Sequence, residues 1–175
     1  MRVRSKDVRR VASSPSIPWE VVGSSADAAV ATQGHYVVLL WRRTVVKEGV
    51  EWTRSAFERL ALEQPGRKIV FLTVVESGCE IASAEVRKDV ADLLKTHAGR
   101  LACAAIVFEA VGFRMTILRS FITAINLTTR SRFPNAVFSH VDPALSWIMD
   151  QSPPADSIAE RQAVIALVSR LRISS

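Results

Sequence analysis

A rhythm of short, uninterrupted apolar runs constrains this chain most. Tyr36–Trp41, Ile69–Val75, Leu101–Phe108 and Ala136–Phe138 are continuous rather than alternating apolar and polar. That is the pattern of strands buried on both faces. Helix-like stretches fill the intervals, and strand–helix–strand order predicts a mostly parallel sheet with helices packed on it. The expected fold is α/β, with a four- to five-stranded, mostly parallel sheet and a further helix at the C-terminal end.

The helical stretches are read from period and punctuation. The first runs from about Glu51 to Glu63, with Trp52, Ala56, Phe57 and Leu60 on one face and Pro65-Gly66 as its stop. The second runs from about Ala84 to Thr96 over Val86, Val90, Leu93 and Leu94, with Ser83 as N-cap and Gly99 as C-cap. The third, Phe113–Thr128, turns Met115, Leu118, Phe121, Ile122 and Ile125 inward, and Ile117 widens the stripe. Such breadth exceeds one amphipathic face and implies a second contact beyond the sheet, such as another subunit. Arg119 is out of character on that helix; it either snorkels at the margin or pairs with a carboxylate across the interface. Asp142-Pro143 reads as an N-cap and first position for a helix carrying Leu145 and Ile148.

After Pro153-Pro154, the run Ser157-Ile158-Ala159-Glu160 reads as a capping box. The helix it opens, Ile158–Arg172, shows Ile158, Ile165, Val168 and Leu171 or Arg172 at helical spacing. At the other end, Ile17–Val22 is a candidate edge strand despite Pro18. Ser24–Gly34 is Ala-rich, loop-like and unassigned. The expected organisation is a basic tail over 1–16, an α/β domain over 17–150 and a C-terminal helical extension over 151–175.

The net charge of +6 is unevenly spread. Arg2, Arg4, Lys6, Arg9 and Arg10 against Asp7 give the first twelve residues +4, which leaves +2 for the rest. Such a run reads as a solvated tail. The sharper alternative is an arm for nucleic acid or an anionic membrane surface. No aromatic residue stands in those twelve positions to stack on bases. No run of 18 uncharged apolar residues occurs, the length a membrane-spanning helix requires. The two cysteines, Cys79 and Cys103, form no CxxC pair, which argues against structural zinc and a disulfide framework and points to the cytoplasm. Neither GxGxxG nor GxxxxGK[ST] is present, so nucleotide phosphate binding has little support. No cofactor and no metal is expected.

Open α/β sheets bind ligands beyond the carboxyl ends of their strands. Here those ends carry Glu76 with Ser77, Glu109 with Arg114, and Ser139 with His140. Convergence of Glu76, Glu109, Arg114 and His140 would allow ligand binding or acid–base work. Gly112, bare at the start of the third helix, would hold an anion together with Arg114. The plainer reading pairs Glu109 with Arg114 and leaves the others as solvated loop residues. Cys79 stands between Glu76 and Glu80, which oppose thiolate formation, and Cys103 reads as core. Trp41, Trp52 and Trp147 are expected in the core, with Trp19 covering an edge.

The stretch Val107–Trp147 includes Phe108-Glu109, Gly112-Phe113, Arg119, Phe133-Pro134, Val137-Phe138 and Ala144-Leu145-Ser146-Trp147. With the element order over Tyr36–Met149, it resembles the small STAS-type domains of anti-sigma-factor antagonists and uncharacterised bacterial proteins of that class. The resemblance implies a non-enzymatic regulatory or scaffolding module that binds another protein or a small ligand. Phosphorylatable STAS domains carry a serine at a helix start in an Asp-Ser-Ser-Gly run. The matching stretch here, Glu76–Ser83, lacks that run; Ser83 is the nearest positional match and Ser77 the second.

The expected function is therefore a self-associating protein-interaction module, a homodimer through Met115, Leu118, Arg119, Ile122 and Ile125. The alternatives are a small-molecule or lipid-binding domain with a pocket under the third helix, and a hydrolase using the strand-end carboxylates.

Overall fold

The computed structural model describes residues 18–80, 82–109, 133–154 and 157–173. The basic run at 1–16 and the Phe113–Thr128 helix, with Gly112, Arg114, Met115, Leu118, Arg119, Ile122 and Ile125, lie outside the described residues.

Six strands form one sheet in the order of the chain: β1 (Trp19–Ser24), β2 (Ala28–Gln33), β3 (Tyr36–Trp41), β4 (Ile69–Val75), β5 (Leu101–Phe108) and β6 (Asn135–Phe138). β1, β2 and β3 are a meander of antiparallel pairs, whereas β3–β4, β4–β5 and β5–β6 pair in parallel. The mostly parallel α/β sheet is as the sequence predicts, but it has six strands rather than four or five. The extra strand is β2, inside the unassigned Ala-rich stretch. Every residue of β2 is buried. Alanine and glutamine give little strand signal of their own, and the pairing with β3 on one side and β1 on the other supplies it.

Helices cover both faces. α1 (Lys47–Glu63) and α2 (Ala84–His97) pack on one face against Val37, Leu39, Trp41 and Phe71. α3 (Val141–Gln151) and α4 (Ser157–Ile173) pack on the other against Val38, Leu40, Leu72 and Val74. This two-sided cover is why β3 and β4 read as unbroken apolar runs. α1 starts four residues ahead of its expected start, and Gly49 in that first turn is tolerated because the Trp41 ring lies flush against it.

Several local expectations are corrected. Gly99 is not a left-handed cap; α2 ends at His97 and passes into a 3-10 turn over Ala98–Arg100. Asp142 is inside the first turn of α3 rather than its N-cap, which is His140. In α4 the inward residues are Val164, Leu167, Val168 and Leu171, while Ile158 and Ile165 face solvent. Glu160, read as the far half of a capping box, is turned into the core instead. Ser83 does cap α2, accepting the Val86 N–H at 3.2 Å. Trp41 and Cys103 are core, Trp52 and Trp147 are partly buried against it, and Trp19 stands exposed on β1.

The parallel strands define two edges. Tyr36, Ile69, Leu101 and Asn135 open them at the amino edge; Trp41, Val75, Phe108 and Phe138 close them at the carboxyl edge. β1 begins at the amino edge, because Trp19 pairs with Gln33 and Gln33 with Tyr36.

Candidate functional site

The carboxyl edge is built by staggered strand ends. The Glu76 N–H donates to Trp41 O at 2.9 Å, and the Glu109 N–H donates to Val75 O at 3.0 Å. Each acid therefore sits one step beyond the neighbouring strand, on adjacent strands about 4.8 Å apart. A single guanidinium joins them: Arg172, in the last turn of α4, lies 3.5 Å from Glu76 Oε1 through Nε and donates through Nη2 to Glu109 Oε1. Both carboxylates are partly shielded, with side chains 27% exposed.

A second arginine lies deeper. Arg42, directly after β3, is buried, and its guanidinium donates to the Ser25 carbonyl and to the Leu171 carbonyl at the end of α4. The final carbonyls of a helix have no partner within the helix and carry partial negative charge. A buried cation against them satisfies both deficits. The C-terminus of α4 is thus held at the carboxyl edge by Arg42 from the sheet side and by Arg172 reaching back to the two acids.

The expected site residues fare unequally. Glu76 and Glu109 come together, but on Arg172, which the sequence offers only as an alternative to Leu171 on the spacing of the last helix. His140 is exposed, precedes α3, and its side chain makes no capping bond; among the described residues no contact joins it to either carboxylate. Ser77 is exposed in the turn after β4. Ser83 is engaged as a helix cap. Cys79 is buried in the α1/α2 core, which opposes any role as a nucleophile, and burial pushes the Cys103 thiol up to about 11. Among the described residues no group of three or more His, Cys, Asp or Glu side chains is placed to hold a metal.

A separate polar cluster sits inside the amino edge. His35, Tyr36 and Glu160 are buried together, with His35 Nδ1 3.9 Å from Glu160 Oε1. Burial first, and the Arg67 charge second, lower the His35 pKa to about 4. At neutral pH this is accordingly a polar contact and not an ion pair. Burial, with Glu160 beside it, raises the Tyr36 phenol above its ordinary range.

No family model and no curated protein matches the chain. Among solved structures, an uncharacterised protein of the DUF3478 family with a SpoIIAA-like fold, from Shewanella loihica PV-4, superposes with a TM-score of 0.50. The match covers 72% of this chain and 97% of that one, at 17% identity. The chain has a SpoIIAA-like fold. At this identity the likeness concerns architecture alone, and it agrees with the STAS-type resemblance drawn from element order. In this SpoIIAA-like domain α4 buries Val164, Leu167, Val168 and Leu171 in the core it shares with α3. No helix among the described residues is long and apolar enough to cross a membrane.

Proposed function

We propose that this SpoIIAA-like chain is a non-enzymatic regulatory module that works by binding protein, including a second copy of itself. The observation that carries the reading is the occupied carboxyl edge. The place where open α/β sheets admit small ligands is filled by the chain's own helix end, with Arg172 on Glu76 and Glu109 and Arg42 on Leu171. Each carboxylate holds the Arg172 guanidinium through its Oε1 atom, a structural role that calls for no acid–base chemistry. The sequence adds a stretch, 113–128, whose apolar set is wider than one helix face; self-association is the use this reading assigns to the surplus.

Light scattering on the wild type and on Ile122→Glu tests it. The reading expects a dimer that Ile122→Glu converts to a folded monomer, with unchanged circular dichroism. A wild-type monomer at every concentration overturns self-association. An unfolded Ile122→Glu monomer would make residue 122 plain core and shift the reading to an internal ligand pocket.

A further inference from the structure

α4 is apolar on two sides. Val164, Leu167, Val168 and Leu171 face the sheet and are buried. Ile158, Ile165 and Ile173 point away from it, and they are three of the six exposed large apolar side chains among the described residues. Ile158 is 70% exposed and Ile173 is 82% exposed. A helix that is apolar all round is ordinarily covered all round. The outward stripe is Ile158, Gln162, Ile165, Ala166, Ser169 and Ile173, all of them exposed and none of them charged. The arginines of α4 are already engaged: Arg161 with Asp142, Arg170 over the Trp19 ring at 5.2 Å, and Arg172 with Glu76 and Glu109. The stripe itself therefore gives a second copy no charge to repel.

The stripe also reads alike in both directions. About the midpoint between Ile165 and Ala166, Ile158 is matched by Ile173 and Gln162 by Ser169. Two copies of α4 laid antiparallel about a two-fold axis at that midpoint set isoleucine against isoleucine at both ends, with Gln162 against Ser169 between. Ile165 and Ala166 each meet their own counterpart at the axis. Ser169 Oγ already donates to the Ile165 carbonyl at 3.0 Å, so its lone pairs remain to accept from the facing Gln162 amide. A two-fold contact between identical chains requires such self-complementarity, whereas a different partner does not.

We infer that α4 pairs antiparallel with α4 of a second copy, two-fold about Ile165 and Ala166. This contact rests on the self-association proposed above and adds a face to it. α4 has 17 residues and is about 25 Å long. One face of such a helix buries less than the about 800 Å² per partner of a standard interface. The α4 contact is therefore the weaker of the two. It joins dimers as concentration rises, and it leaves Ile122→Glu monomeric in dilute solution.

Disulfide trapping of the full chain, read on non-reducing gels after mild oxidation, tests the pairing and its register. Cys79 and Cys103 are buried, so an introduced surface thiol is the reactive one. Ala166→Cys should form a covalent dimer on the order of tenfold faster than Thr96→Cys, an exposed position on α2. Gln162→Cys and Ser169→Cys each lie about 10 Å from their own counterpart along the paired axes and should be slow alone. The double variant Gln162→Cys/Ser169→Cys should be fast. Ile165→Glu should abolish the rise in mass beyond the dimer in light scattering, with thermal melting confirming its fold. A fast Gln162→Cys single variant would mean a parallel pair and overturns the proposal. So does trapping at 166 no faster than at 96 in a chain whose mass still rises with concentration; self-association then stands on other residues. A chain that stays monomeric at every concentration removes both. A dimer that survives Ile122→Glu while 166 traps fast supports the α4 contact and removes only the one through 113–128.

Discussion

The Arg42 guanidinium donates to the Leu171 carbonyl, so a residue leaving β3 closes the end of a helix 129 positions later. That bond is buried, and the same guanidinium ties in the β1–β2 turn through the Ser25 carbonyl. Arg42→Ala removes a charged donor and leaves two carbonyls without it. Hydrogen bonds to charged groups contribute about 1.5–3 kcal/mol each, so a loss of about 2–3 kcal/mol is expected. The urea midpoint reads it directly. A loss below about 0.5 kcal/mol, within the range of ordinary surface changes, would contradict the capping role.

Arg172 is a different case. Its side chain is 36% exposed, and its partners are only partly shielded. Exposed pairs are worth about 0.2–1 kcal/mol and are screened by salt. Arg172→Ala should therefore cost less than about 1 kcal/mol at low ionic strength, and the difference from wild type should shrink in 1 M salt, where the Debye length is about 3 Å. A cost that does not change with salt would point to lost packing rather than to the Glu76 and Glu109 pairs.

His35 makes the fold sensitive to acid. Its pKa of about 4 in the native protein, against 6.5 for an ordinary histidine, means that the fold accepts only the neutral ring. Between pH 6.5 and 4 the unfolded chain gains a proton that the native chain refuses. Stability from this group is complete above pH 6.5 and falls through that window, by about 3 kcal/mol in all. His97, lowered chiefly by burial and next by Arg100, adds to the fall with the same sign. Denaturant unfolding at a series of pH values should show a shallower decline for His35→Gln than for wild type. Identical slopes would mean that His35 charges freely beside Glu160.

Gly49 shows packing overriding helix propensity. Alanine would ordinarily stabilise a helix by about 1 kcal/mol over glycine. A Cβ at this position, however, would fall 2.5 Å from the Trp41 ring and 3.2 Å from the Ala28 Cβ. Trp41 is itself buried and cannot swing clear. Gly49→Ala should destabilise by about 1–3 kcal/mol, the usual cost of overpacking, seen as a lower melting temperature. A higher melting temperature would mean that α1 shifts away at little cost.

Legibility in the sequence followed burial. β3, β4 and β5 were readable because helices cover both their faces, and the bounds of β4 and β5 match their apolar runs residue for residue. β2 was not readable, because Ala28, Ala29 and Ala31 are small where α1 and α4 approach closely, and small residues carry almost no strand signal. Ile158 and Ile165 misled for the opposite reason: their spacing is helical, yet the inward face of α4 begins at Glu160, a charged residue that finds His35 and Tyr36. At the carboxyl edge the acids were legible as strand-end residues. Arg172 was not, since its bond to Glu109 spans 63 residues and leaves no local pattern. The Arg42-Arg43 pair directly after an apolar strand is a local sign of cations at that edge.

The self-association claim is tested most directly by hydrogen–deuterium exchange of the unmodified chain, measured by mass spectrometry at low and high protein concentration. The account predicts that peptides from 113–128 exchange more slowly as concentration rises, while peptides from β3 and β4 stay unchanged. Exchange in 113–128 that is independent of concentration would contradict it.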